Sequence, residues 1–206
     1  MKQINNSVGM IENRSTMKTL SIAIKIFLVF TILTGVLYPL LVTGIAQVAF
    51  PHKANGSLIL KDNKVIGSEL IGQKFDSTIY FTSRPSAIDY NPLPSGGSNY
   101  GLTSTKLKAQ VAERRNKFIV INGLDETAEI PSEMLFASAS GLDPHISPEA
   151  ADLQINRIVK ARYFNNMQKQ KLKLLVEQMS EAPQLTCLGE SRVNVLLLNI
   201  ELDKLK

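Results

Sequence analysis

The chain has 206 residues, 44% of them hydrophobic and 20% charged, which suits one domain of ordinary size plus an anchor and argues against disorder of the whole. Its formal net charge of +5 is uneven: residues 1–50 hold Lys2, Arg14, Lys18 and Lys25 against Glu12, while residues 51–206 hold 19 basic and 17 acidic side chains, with no basic stripe interleaved with aromatics to speak for nucleic acid. A single cysteine, Cys187, rules out an intrachain disulfide, and with only His52 and His145 beside it a four-ligand zinc site lacks its donors.

The first predicted element is IFLVFTILTGVLYPLLVTGIAQVAF, residues 26–50, which contains no charged side chain. As a helix it measures roughly 37 Å, enough to cross a hydrocarbon core of about 30 Å with tilt. The alternative is a secretory signal, for which Gly44 and Ala46 resemble a cleavage site, but the apolar region of a signal runs only about 7–15 residues. We therefore read an uncleaved transmembrane helix, with 1–25 as an N-terminal segment and 51–206 as the domain beyond it. Orientation is not decided by charge, since Arg14, Lys18 and Lys25 precede the span and Lys53, Lys61 and Lys64 follow it. Within the span Pro39 invites a kink, and Thr31 and Gly35, four apart, form a small-xxx-small face on which a second helix can pack closely.

Beyond the span, Leu58–Leu60 and Val65–Ile66 around Asp62-Asn63 predict a hairpin, and Thr78–Thr82 predicts a third strand. Residues 83–101, rich in proline, glycine and serine, predict a long loop; Tyr90, Leu93 and Tyr100 give it something to bury, which favours an ordered, functional loop. A helix is expected from Thr105, with Leu107, Val111, Phe118 and Ile121 near one face. Ser147-Pro148 marks a further helix start, serine as the cap and proline in the first turn. Ala151, Ile155, Ile158 and Val159 then form one apolar stripe, and Leu172, Leu175, Val176 and Met179 another. The run RVNVLLLNIEL, residues 192–202, is apolar on both faces and is expected to be a buried central strand. The fold class that results is α+β: a single N-terminal transmembrane helix followed by one domain in which a small β-sheet packs against helices.

Candidate chemistry is sparse. Asp143, His145 and Ser147 have the names of a catalytic triad, but groups within five residues rarely place an imidazole in line between nucleophile and carboxylate. No cluster of ligands accompanies His145 as a metal site. The favoured reading makes the segment a piece of shape, with Gly141 and Pro144 fixing a turn, Asp143 bonding local backbone and Ser147 capping a helix. There is no GxxxxGK[ST] loop; SGGSN, residues 95–99, can offer an anion nest, but a plain turn is the simpler account. No catalytic and no metal-ligating residue is therefore expected, and no cofactor in this chain.

Taken together, GSELIGQKF (67–75), YFTSRPSAIDY (80–90), SGGSN (95–99), SASGLDPHISPEAA (138–151) and VNVLLLNIEL (193–202) closely resemble the C subunit family of the bacterial potassium-transporting Kdp ATPase, in order from the anchor to the C-terminus. The resemblance implies a non-catalytic, single-pass subunit of the bacterial inner membrane. Its N-terminus would be cytoplasmic and its domain outside, beside an A subunit that carries the pore, a B subunit that hydrolyses ATP and a small F subunit, so that ATP and potassium are handled by the complex. It offers two roles, assembly with capping of the outer potassium entrance, or a catalytic chaperone that raises the ATP affinity of the B subunit. The latter would need coupling through membrane helices, because ATP is cytosolic. The signature residues, and hence the candidate interface, are Arg84, Pro85, Ser86, Ser95, Gly96, Gly97, Ser98, Asn99, Ser140, Gly141, Asp143, Pro144, His145 and Ser147, with Thr31, Gly35 and Pro39 as the packing residues of the span.

Overall fold

The computed structural model describes residues 2–205, with side chains from residue 16 onward. Met1 and Lys206, the outer ends of the expected N-terminal segment and domain, lie outside the described residues. The chain forms two compact units, Met1–Gly56 and Ser57–Lys206.

The first unit is helical: α1 (Lys2–Ile32), a π turn (Leu33–Leu37), α2 (Tyr38–Ala49) and the single turn α3 (Pro51–Ala54). The continuous helical stretch Thr16–Ala49 is long and apolar enough to cross a membrane, and it starts earlier than the uncharged run because helix continues through Lys18 and Lys25. Pro39 lies in the first turn of α2. Its ring would strike the carbonyl four residues back, at Gly35, and the chain accommodates this by widening the preceding turn into a π turn. Thr31 and Gly35 therefore do not stand in the strict register of an unbroken α-helix. The Thr31 hydroxyl donates to Phe27 O at 2.8 Å, leaving its methyl outward, and a Cβ added at Gly35 would meet nothing within 4 Å.

In the second unit β1 (Leu58–Lys61) and β2 (Lys64–Ser68) pair antiparallel. Asp62 and Asn63 form the two-residue turn with φ of 51° and 59°, the left-handed pair that matches the twist of a hairpin. A three-stranded antiparallel sheet is ordered β3 (His145–Ile146), β5 (Arg192–Asn194), β4 (Ser180–Glu181). Against its central strand lie α5 (Pro148–Ala161), α6 (Asn166–Met179) and α7 (Val195–Leu202), and α4 (Thr105–Asn122) packs on α5. The start of each long helix is fixed by a side-chain oxygen: Ser104 caps α4, Ser147 caps α5, and Asn165 with Gln168 forms a capping box on α6. Ile155 and Ile158 of α5, Leu172 and Val176 of α6, and Leu198 and Leu202 of α7 are buried in the common core.

Four expectations are corrected. Residues 192–202 are a strand only at Arg192–Asn194; from Val195 they are helix. An all-apolar run does not distinguish a buried strand from a buried helix, and here the Asn194 side chain accepts from Leu197 N at 3.2 Å and starts a helix. The buried set Val195, Leu198, Asn199 and Leu202 has helical spacing. Thr78–Thr82 is not a strand either. Its backbone is bonded by side chains of the helices: Phe81 N and O by Asn199 (2.8 and 2.9 Å), Thr82 N by Gln154 (2.8 Å), Ile79 O by Arg162 (2.8 Å) and Thr78 O by Arg157 (2.5 Å). On α4 the expected face holds at Phe118, buried, and at Leu107 and Val111, half-buried, but Ile121 is exposed and Ile119 and Asn122 are buried in its place. Of the three residues expected to bury the 83–101 loop, only Tyr90 turns inward, while Leu93 is 81% exposed and Tyr100 is exposed.

Candidate functional site

Segment 138–147 is the seam on which the other signature stretches close. Gly72 N donates to Leu142 O at 2.7 Å, Ser138 N to Pro85 O at 3.3 Å, Gly96 N to Ser140 O at 3.1 Å and Val195 N to Pro144 O at 2.9 Å. His145 pairs with Asn194 and Ile146 with Val193 in the β3–β5 ladder. Four stretches far apart in sequence are thereby joined through a fifth. Contact is close enough to require glycine: a Cβ at Gly72 would lie 2.7 Å from Asp143 O, and one at Gly97 3.0 Å from Ala139 O. At Gly141 φ is +71°, and a Cβ there would lie 2.5 Å from the Ile88 side chain and 3.0 Å from Gly96 O.

The charged centre of the seam is Asp143. Its Oδ2 accepts from Arg84 Nη1 at 2.7 Å, its Oδ1 from His145 N at 3.0 Å, and His145 Nδ1 stands 3.4 Å from Oδ1. Burial by itself would raise the Asp143 pKa. The hydrogen bonds from the His145 side chain and backbone, with those and the charge of Arg84, outweigh it and hold the carboxyl at about 2. Tyr90 closes the other side, its hydroxyl donating to Arg84 O, and burial pushes its pKa up to about 12. Ser86 Oγ accepts from Ile88 N (3.2 Å) and Tyr90 N (3.0 Å), turning the loop back. Ser140 Oγ accepts from Leu142 N at 3.1 Å.

Asp143, His145 and Ser147 do not form a relay. The Ser147 hydroxyl donates to Glu133 Oε1 at 2.5 Å and accepts from Ala150 N at 3.1 Å, so it serves as cap and clasp. The imidazole faces Asp143 and has no hydrogen bond to Ser147 among the described residues. Likewise the Gly96 amide of SGGSN is occupied by Ser140 O rather than free to cradle a phosphate. Ser95 and Asn99 are exposed and Ser98 half-buried, and none of the three contributes to the bonds that tie the seam. Among the described residues no group of three His, Cys, Asp or Glu side chains is placed to hold a metal ion.

Sequence reasoning missed the polar residues that hold this frame: Glu133, which clasps Ser147, and Asn122, Gln154, Arg157 and Asn199, all buried. The available signal was position. Gln154 and Arg157 adjoin Ile155 and Ile158 on the inner face of α5, where a polar residue must find partners.

The sign of the Asp143 effect gives a pH test. A carboxyl whose folded pKa is depressed contributes stability that is complete above its unfolded value, near 4, and is lost as pH falls towards 2. Because the side chain is still 28% exposed, the contribution is discounted to about 1–2 kcal/mol. Asp143→Asn is expected to lower stability at pH 7 by that amount and to flatten the loss between pH 4 and pH 2, read from denaturant midpoints across that range.

The chain thus joins a helix long and apolar enough to span a membrane to an α+β unit whose most distinctive residues hold its own loops together. The family model described as K+-transporting ATPase, c chain (KdpC) matches residues 20–204, and the chain belongs to this family. It is 49% identical over 193 residues to the "Potassium-transporting ATPase KdpC subunit" of Geotalea uraniireducens (strain Rf4), covering 92% of this chain and 99% of that one. It is 46% identical over 184 residues to the protein of the same name from Leptospira interrogans serogroup Icterohaemorrhagiae serovar copenhageni (89% and 93%), and 45% identical over 193 residues to that of Pectobacterium atrosepticum (92% and 98%).

Proposed function

We propose that this chain is the non-catalytic, single-pass subunit of an ATP-driven potassium uptake complex, inserted in the bacterial inner membrane with its N-terminus cytoplasmic and residues 51–206 outside. There it would hold the A, B and F subunits in assembly and cap the outer potassium entrance. The observation that carries this reading is the seam: Arg84, Gly96, Ser140, Asp143, His145 and Ser147 are engaged with one another, with backbone or with Glu133. That is how residues fix a surface for a partner, and it supports a structural reading of these six residues.

A cap over the entrance would act by shape and local dipoles. Nineteen basic against seventeen acidic side chains beyond residue 50 make no strong field to gather cations. In the span, the open notch at Gly35 and the neighbouring Thr31 methyl offer a place for a partner helix, since close backbone approach substitutes in lipid for the hydrophobic drive. A reporter enzyme active only outside the cytoplasm, fused after Lys206, is expected to be active. Activity only from a cytoplasmic reporter at the same position would reverse the orientation and remove the cap.

A further inference from the structure

A cavity of about 680 Å³ opens between α4, α5 and residues 74–90, sharing Arg84, Pro85, Ser86 and Tyr90 with the stretch that closes on the 138–147 seam. Five basic side chains line it, Lys74, Arg84, Arg114, Lys117 and Arg157, against the acids Asp76, Asp89 and Glu113. Two of those acids are already engaged, because Lys74 bridges Asp76 at 3.5 Å and Asp89 at 2.8 Å. Arg84 is balanced by Asp143. Arg114, Lys117 and Arg157 then face only Glu113, so the cavity is positive.

The deepest of these is Arg157, 7% exposed. Its guanidinium donates to Asn122 Oδ1, Thr78 O and Gln154 Oε1, all neutral; among the described residues no carboxylate is bonded to it. A buried cation is normally balanced by an anion, since neutral acceptors recover only part of its lost hydration. Two further atoms in the lining are buried without a partner, Arg84 Nε, a donor, and Gln110 Oε1, an acceptor. Buried polar atoms left unpaired point to a ligand or water that completes them.

We propose that this cavity binds a small phosphate-type oxyanion that also carries an O–H, with Arg157, Arg114, Lys117 and the Nε edge of Arg84 taking the negative oxygens and Gln110 Oε1 accepting from the hydroxyl. Guanidinium groups match phosphate oxygens in geometry and charge, and both hydrogen phosphate and a glycerophosphate ester present the required hydroxyl. Free phosphate and the headgroup of an anionic lipid share this chemistry. The site does not depend on the subunit's role in the complex.

The test is calorimetry on the full chain in uncharged detergent, with inorganic phosphate and glycerol 3-phosphate as probes and potassium chloride at matched ionic strength as the control. Saturable binding is expected with a Kd on the order of 1 mM or below. It should weaken about tenfold in Lys117→Gln, whose exposed position keeps folding intact, and in Arg84→Lys, which keeps a charge opposite Asp143 but removes Nε. Equal affinity for the two probes would assign the site to free phosphate, and tighter binding of the ester to a lipid headgroup. No saturable binding at about 20 mM phosphate, heats equal to those of chloride, or affinity unchanged in both variants would overturn the proposal.

Discussion

Gly141→Ala is expected to cost about 2–5 kcal/mol and to release the 83–101 loop from the seam. Two penalties combine at this residue. A non-glycine residue at φ +71° costs about 1–2 kcal/mol from the crowding of its Cβ against the backbone. The new methyl would also stand 2.9 Å or less from two Ile88 carbons and 3.0 Å from Gly96 O, an overpacking that typically adds about 1–3 kcal/mol. Gly123 provides the internal control, because its φ is +63° but a Cβ there meets nothing within 4 Å, so Gly123→Ala should cost only about 1–2 kcal/mol. Denaturant unfolding of both variants measures the difference. Equal losses would mean that Ile88 and Gly96 do not pack on this glycine. Because Ser140 O holds Gly96 N one residue away, the Gly141 variant should also reduce recovery of the subunit with its partners.

Asn199→Leu is expected to be comparably severe, at about 2–6 kcal/mol. The side chain is 2% exposed, and its amide replaces a strand neighbour by accepting from Phe81 N and donating to Phe81 O. Leucine is close in size and keeps the helix, so the loss isolates those two bonds. Each buried backbone group left unpaired costs about 1–3 kcal/mol, a large part of a typical domain's 5–15 kcal/mol. The check is again the unfolding midpoint, together with hydrogen exchange at the Phe81 amide, which should lose its protection. A stable variant with Phe81 still protected would show that the 78–82 segment is held by something other than α7.

Asn199 also marks where the sequence ceased to be legible. Local signals sufficed for the span, for the hairpin around Asp62-Asn63 and for the helix that starts at Ser147-Pro148, because each is decided by composition or by bonds within a few residues. Thr78–Thr82 and Val195–Leu202 were misread together, and for one reason. The β-forming composition of the first segment and the continuous apolar character of the second both describe burial, and what satisfies a buried backbone is a long-range choice. Here it is made by Asn199 and Gln154, 118 and 72 residues away from their partners. The seam was legible as a set of motifs but not as a structure. Nothing in SGGSN or SASGLDPHISP states that Gly96 meets Ser140, or that Arg84 crosses to Asp143, because the glycines of both stretches read as plain turns.

We propose that the seam supplies shape and takes no part in reaction. The most direct measurement is potassium-stimulated ATP hydrolysis by the assembled complex carrying His145→Ala, with assembly verified by co-purification. The side chain contributes a 3.4 Å contact to Asp143, whose closer bonds to Arg84 and to the His145 backbone remain, so turnover within a few-fold of the unsubstituted complex is predicted. A general acid or base contributes about 10²–10⁴-fold, and a loss of that size in a complex that still assembles would contradict the account.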